Sequence, residues 1–137
     1  MLIVLDTNVL ISGLLSPYGP PGRILDLALA GSVRLAYDDR ILAEYRAVCA
    51  RPKFGFRPDP TAALIDYLVH SGEPVLAPPL QVDAPHPGDL PFAEVAAASS
   101  AGALVTGNHQ HFLFLAHPPV LSPADFLTLW GKQIGRG

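Results

Sequence analysis

Leu2-Ile3-Val4-Leu5 is an unbroken apolar run that stops at Asp6-Thr7-Asn8. A strand buried on both faces reads this way. Such strands belong to parallel sheets whose two faces are covered by helices, so this one segment narrows the possible folds more than any other. Ala103–Thr106 has the same form, and Val33–Tyr37 and Pro119–Leu121 are weaker versions of it. Helical patterns lie between them at Asn8–Leu15, Gly22–Ala30, Asp39–Ala50, Thr61–Ser71, Pro91–Ala101 and Pro123–Trp130. The alternation predicts a doubly wound α/β layer with crossover helices on both faces. A length of 137 residues suits a single domain spanning 1–137, large enough to bury most of its apolar surface without covalent staples.

Local punctuation supports these divisions. Pro17-Tyr18-Gly19-Pro20-Pro21 separates the first helix from the second, Gly31 is placed to cap the second, and Ser122-Pro123 opens the last. From Glu73 to Pro91 there are six prolines and no period, which predicts an extended surface loop of the kind that often carries function.

Half of the residues are hydrophobic, yet no apolar stretch approaches the roughly 20 residues of a spanning helix, and the N-terminus lacks the basic lead and small-residue cleavage site of a signal peptide. The expectation is a soluble cytoplasmic protein with no membrane partner. Cys49 stands alone, which excludes an internal disulfide and a thiolate metal cage. A net charge of −3 argues against a protein that coats nucleic acid through a global positive field. Seven of the nine basic residues nevertheless fall between Arg23 and Arg57, leaving room for a local basic surface or a solvated helix face.

Ligands of open parallel sheets bind beyond the carboxyl ends of the strands, where strand order reverses. Asp6 and Asn108 both follow strands and belong at that edge. On the helix 39–50, Ile41, Glu44, Tyr45, Val48 and Cys49 follow the core-facing spacing i, i+3, i+4, i+7, i+8. Glu44 therefore needs a salt bridge, for instance to Arg40 or Arg46, or a wet cleft, because burying it unpaired costs several kcal/mol, on the order of lone-charge penalties. Asp6 and Asp89 each have a bland reading as helix N-caps. Glu94 lies one turn beyond Asp89 and is either solvated or turned inward. Carboxylates sharing a cleft repel one another, and a divalent cation with hard oxygen ligands relieves that repulsion, which points to Mg²⁺ or Mn²⁺ rather than zinc. Such an ion activates water and neutralises charge on a phosphodiester. His86, His109 and His111 could make a histidine metal site, but i, i+2 spacing brings two side chains together only on a strand, so surface or substrate contact is the simpler role.

Five ordered blocks, LDTNVLISGLL, ILAEYRAVCARPKF, HPGDLPFAEVA, ALVTGN and VLSPADFL, resemble PIN-domain ribonucleases, and within them the VapC-like toxin components of bacterial toxin–antitoxin pairs. The resemblance implies a three-layer α/β/α fold with a central parallel sheet, metal-dependent hydrolysis of RNA, homodimers and a cognate antitoxin partner. Carried over, the acidic metal site falls on Asp6, Glu44 and Asp89, and Thr7 and Asn8 match the polar pair after the first Asp; beside these, Thr106 is read as a supporting residue and Glu94, on the Asp89 helix, as one placed to compensate for a missing acid. The family's Thr-Gly-Asp is here Thr106-Gly107-Asn108, and His86 stands where an acid is common. Asn108 can complete the rim with a carbonyl oxygen but removes a charge, which predicts weak, manganese-favouring or lost activity.

The resulting expectation is a Mg²⁺- or Mn²⁺-dependent endoribonuclease acting on single-stranded RNA through Asp6, Glu44, Asp89 and Asn108, with Arg40, Arg46, Arg51 and Lys53 as backbone contacts. The alternative is a PIN-fold RNA- or protein-binding module weakened or inactivated at Asn108. A phosphatase of the haloacid-dehalogenase type also starts with a strand-end Asp, but its second Asp is replaced here by Asn8. Phe112, Phe114, Phe126 and Trp130 are read either as a dimer interface or as core.

Overall fold

In the computed structural model, which describes residues 1–134, the strands are β1 (Leu2–Leu5), β2 (Arg34–Tyr37), β3 (Glu73–Pro74), β4 (Ala103–Val105) and β5 (Val120–Leu121). The helices are α1 (Thr7–Leu15), α2 (Pro20–Leu29), α3 (Asp39–Cys49), α4 (Pro58–Ser71), α5 (Leu90–Ala98) and α6 (Pro123–Ile134). The sheet is parallel in the order β3-β2-β1-β4-β5. The chain runs outward from β1 through β2 to β3, then crosses back to β4 and on to β5. The reversal falls between β1 and β4, which pair Ile3 with Ala103 and Leu5 with Val105. Right-handed crossovers running in opposite directions across the sheet put their helices on opposite faces: α5, on the way from β3 back to β4, lies across β1, β2 and β4, while α2, between β1 and β2, packs on α6. The result is the expected three-layer α/β/α arrangement.

The four residues of β1 are all buried, as are the three of β4, so the central strands have no solvent face. Phe92 and Ala93 of α5 and Ile24 of α2 are buried in the same core. Phe112 and Phe126 are also buried, Phe114 and Trp130 partly so, which favours the core reading of that aromatic group. Among the described residues no helix is long and apolar enough to cross a membrane.

Two details differ from the sequence expectations. Pro20 and Pro21 form the first turn of α2 rather than lying before it; the first turn's N–H groups have no helical partner, so proline costs nothing there. Gly22 is the residue that lets this turn close, since a Cβ there would sit 2.1 Å from the Pro17 carbonyl oxygen. Glu73 and Pro74, taken as the start of a loop, form edge strand β3, and the Val75 amide extends the pairing to the Tyr37 carbonyl at 2.8 Å. A two-residue strand ending in proline carries no sequence period, and proline is tolerated at a sheet edge. The remainder of the proline-rich stretch runs as irregular chain to a 3₁₀ turn at Pro87–Asp89. Gly31, with φ +80°, ends α2 as expected.

Candidate active site

Asp6 stands one residue past β1, its amide bonded to the Val105 carbonyl at 2.9 Å. Asp6 occupies the N-cap position of α1, but its side chain makes no cap hydrogen bond of full geometry there, and its firm side-chain partner lies at the end of another strand. Thr106, fully buried just past β4, donates its hydroxyl to Asp6 Oδ2 at 2.7 Å. Asp6 is only 7 % exposed. Burial pushes its carboxyl above the ordinary range, the charges of Asp89 and Glu44 push it further, and Thr106 with the nearby Asn8 amide offsets part of the rise. The charges of Asp89 and Glu44 thus reach Asp6 across the strand ends.

Glu44 reaches this point because α3 is docked onto the end of β1. Tyr45, buried on α3, donates its hydroxyl to the Leu5 carbonyl at 2.5 Å. Its neighbour Glu44 accepts a hydrogen bond from Thr7 Oγ1. Burial, then the charges of Asp6 and Glu44, drive the Tyr45 phenol well above its usual range and keep it a neutral donor. Of the two readings for Glu44, a salt bridge to Arg40 or Arg46 is not the one found: Arg40 pairs with Asp38 and Glu94, and Arg46 with Asp66.

Asp89 arrives from the opposite side, at the end of the 3₁₀ turn that leads into α5, and it too makes no cap hydrogen bond. Its Oδ2 lies 3.1 Å from His111 Nδ1. Asp6, Thr7, Asn8, Glu44 and Asp89 line a single cleft of about 440 Å³, together with Arg51 and Phe54. A separate apolar hollow of about 220 Å³ between α3 and α4, lined by Cys49, Phe56 and Ile65, contains no carboxylate.

Two expected contributors lie elsewhere. Glu94 is buried at 5 % exposure, but Oε1 accepts from Arg40 Nη1 at 2.7 Å and Oε2 from the Leu80 amide at 2.8 Å. It therefore ties the proline-rich segment to α5 and does not compensate at the cleft. Asn108 is exposed and outside the lining; its amide donates to Thr106 Oγ1 at 3.0 Å. Of the basic residues, Arg51 lines the cleft, Lys53 sits 5.1 Å over the Phe54 ring, and Arg40 and Arg46 are held in the ion pairs above. Sequence reasoning missed the Thr106 and Tyr45 hydrogen bonds, and it left His111 as a surface group. The signal for His111 was its position just beyond β4, at the edge where strand order reverses.

The donor set facing the cleft is all oxygen: three carboxylates, the Thr7 hydroxyl, and Asn8 Oδ1, a buried atom with no hydrogen-bond partner. Among the described residues no three acidic, histidine or cysteine side chains close around one point, so the cleft is not a cage made by protein alone. Hard oxygens spread around an open cleft fit a hydrated Mg²⁺ or Mn²⁺, which keeps several of its waters and takes few protein ligands.

The PIN-domain family profile matches residues 2–110. In sequence the chain is 43% identical over 51 residues to uncharacterized protein MJ1680 of Methanocaldococcus jannaschii, a match covering 37% of this chain and 33% of that relative. The matched portion is thus about a third of the relative's length. In structure the chain resembles one in the crystal structure of VapBC2 from Rickettsia felis bound to a DNA fragment from their promoter, with a TM-score of 0.59 and 19% identity, over 89% of this chain and 98% of that one. That likeness is one of fold. With the profile spanning the greater part of the chain and the parallel α/β/α frame in place, the chain belongs to the PIN-domain family, whose members are nucleases.

Proposed function

We propose that the protein is a divalent-cation-dependent endoribonuclease of the cytoplasm that cuts single-stranded RNA, works as a homodimer and is the toxin of a toxin–antitoxin pair. The observation that carries the reading is the meeting of Asp6, Glu44 and Asp89, from three separate segments, in one cleft at the reversal of strand order, with Asp6 already feeling the charge of the other two. The toxin assignment draws on family membership and on the fold shared with the Rickettsia felis VapBC2 structure.

In this reading Asp6, Glu44 and Asp89 hold Mg²⁺ or Mn²⁺, and Asn8 Oδ1 supplies a further oxygen to the ion's waters. When bound, the ion supplies an activated water and offsets charge on the phosphodiester. Thr106 and Thr7 fix the orientations of Asp6 and Glu44. Arg51, unpaired at the cleft among the described residues, contacts the RNA backbone. Lys53 supports it, while Arg40 and Arg46 drop out as contacts because their guanidinium groups are already paired. The test is cleavage of a single-stranded RNA in Mn²⁺, which EDTA abolishes and Asp6→Asn lowers roughly a hundredfold or more. Cleavage that survives both changes refutes the reading.

A second reading, a binding module without turnover, is favoured by the neutral Asn108 in the position where the family carries an acid. Asn108→Asp separates the two: a module silenced only by that residue gains cleavage, whereas an enzyme that already works through the other three acids changes little.

A further inference from the structure

The chain after β4 contributes no acid to the cleft, yet it returns to the site three residues beyond Asn108. The 3₁₀ turn His109–Phe112 is anchored by Phe112, which is 1% exposed in the core. On that turn His111 places Nδ1 3.1 Å from Asp89 Oδ2. His86 stacks on the His111 ring, with centroids 3.8 Å apart and planes 25° from parallel. The His86 carbonyl in turn accepts from the Asp89 amide at 2.9 Å. His86, Asp89 and His111 therefore form a closed triangle of one backbone hydrogen bond, one side-chain hydrogen bond and one ring stack.

We infer that His111 is a positioning residue for Asp89: its Nδ1–H fixes one carboxylate oxygen and leaves the other for a divalent cation, while His86 holds the imidazole plane. An ionised carboxylate only accepts, so the proton of this hydrogen bond resides on Nδ1. Asp89 needs such a partner more than Asp6 or Glu44 do. Those two hang from a strand end and a long helix, and each is held by a threonine hydroxyl. Asp89 sits on a three-residue turn at the end of an irregular segment. Groups that orient a ligating side chain from behind typically change metal affinity about 10- to 100-fold when removed. The inference rests on the reading of Asp89 as a cation ligand.

The experiment titrates Mn²⁺ calorimetrically into the full-length protein and its His111→Ala, His111→Asn, His111→Gln and His86→Ala variants, with melting temperatures measured in EDTA as a control on folding. His111→Ala is expected to weaken Mn²⁺ binding about tenfold or more. Asparagine places an amide donor near the Nδ1 position and is expected to recover most of that loss. Glutamine places its donor near Nε2 and is expected not to, and His86→Ala falls between. The same ranking is expected in the Mn²⁺ concentration that half-activates RNA cleavage, with the rate at saturating Mn²⁺ largely restored. Wild-type protein that binds Mn²⁺, beside His111→Ala of equal affinity, overturns the inference alone. Equal losses in the asparagine and alanine variants overturn the donor role of Nδ1. Wild-type protein that binds no Mn²⁺ overturns the metal reading and this inference with it. If His111→Ala does not fold, the contrast between asparagine and glutamine decides.

Discussion

The two walls of the cleft are built by different means. On one wall, Asp6 and Glu44 are fixed by regular structure: β1 is fully buried, the Asp6 amide continues the β1–β4 pairing, and Tyr45 clamps α3 to the last carbonyl of β1. On the other wall, Asp89 stands on a 3₁₀ turn after irregular chain, and its order comes from side chains outside the cleft lining, with His111 against its carboxylate, His86 stacked on His111, and Glu94 with Arg40 holding the preceding segment. The first wall spends stability to keep a carboxylate where it is poorly solvated. The second holds an acid that remains partly hydrated, and it depends on a few polar contacts that are easily removed. A rigid half and a tethered half give a cleft in which one pair of acids is preset and the third is placed by the side chains behind it.

The largest expected effect tests the tethered wall. Glu94 is buried, and both its oxygens are in use, so Glu94→Ala strands the Leu80 amide, opens a cavity and leaves Arg40 with Asp38 alone. The expected loss is about 2–4 kcal/mol, most of it from the unsatisfied amide and the cavity, because Arg40 is about half exposed and its ion pair is screened. Glu94→Gln keeps an acceptor for Leu80 and should lose less. Urea denaturation measures both, and hydrogen exchange should show faster amides between residues 75 and 89 before the sheet opens. Equal stability in the alanine variant would mean that the proline-rich segment is not held from α5.

A smaller effect of opposite sign tests the rigid wall. The Asp6 carboxyl is raised above its ordinary value of 3.8 by burial first and by its acidic neighbours next. In the folded, metal-free protein the protonated form is therefore favoured over what the unfolded chain requires. The folded state binds more protons as pH falls through the raised value, so the strain from Asp6 is present at neutral pH and is relieved toward acid. Asp6→Asn, which keeps an acceptor for Thr106, is expected to stabilise the protein in EDTA at neutral pH by roughly 0.5–2 kcal/mol, a gain that shrinks as pH drops toward the unfolded value. Saturating Mn²⁺ should reverse the order by stabilising the wild type only. A destabilised Asp6→Asn protein in EDTA would show that this wall stores no electrostatic strain.

The same contrast explains what was legible in the residues. β1, β4 and α3 announce themselves because burial writes a period: apolar on both faces for the strands, i, i+3, i+4, i+7 for the helix. Asp6 and Glu44 stood out as violations of those patterns, and both lie in the cleft. Asp89 was legible through resemblance more than through period. Glu94 was misread because a carboxylate in a short helix looks the same whether it faces a cation or a backbone amide, and its partner Leu80 is distant along an aperiodic segment. The His86–His111 stack and the Thr106 hydrogen bond are products of tertiary approach alone. Edge strand β3 was lost because its residues, Glu73 and Pro74, have no pattern of their own.

The smallest effects separate two arginines of the α3 region. Arg46 and its partner Asp66 are both exposed, and such pairs contribute at most a few tenths of a kcal/mol. Arg51 has no ion pair among the described residues and lines the cleft. Neither Arg46→Ala nor Arg51→Ala should change stability by more than about 0.5 kcal/mol. RNA affinity measured in EDTA should distinguish them. If Arg51 meets one phosphate, Arg51→Ala weakens binding about equally across sequences and lowers the slope of log affinity against log salt by roughly 0.7 for a single strand. Arg46→Ala should leave that slope unchanged, because its guanidinium faces Asp66 and not the cleft. Identical slopes for the two variants would place the RNA path away from the α3 wall and leave Arg51 as ordinary surface charge.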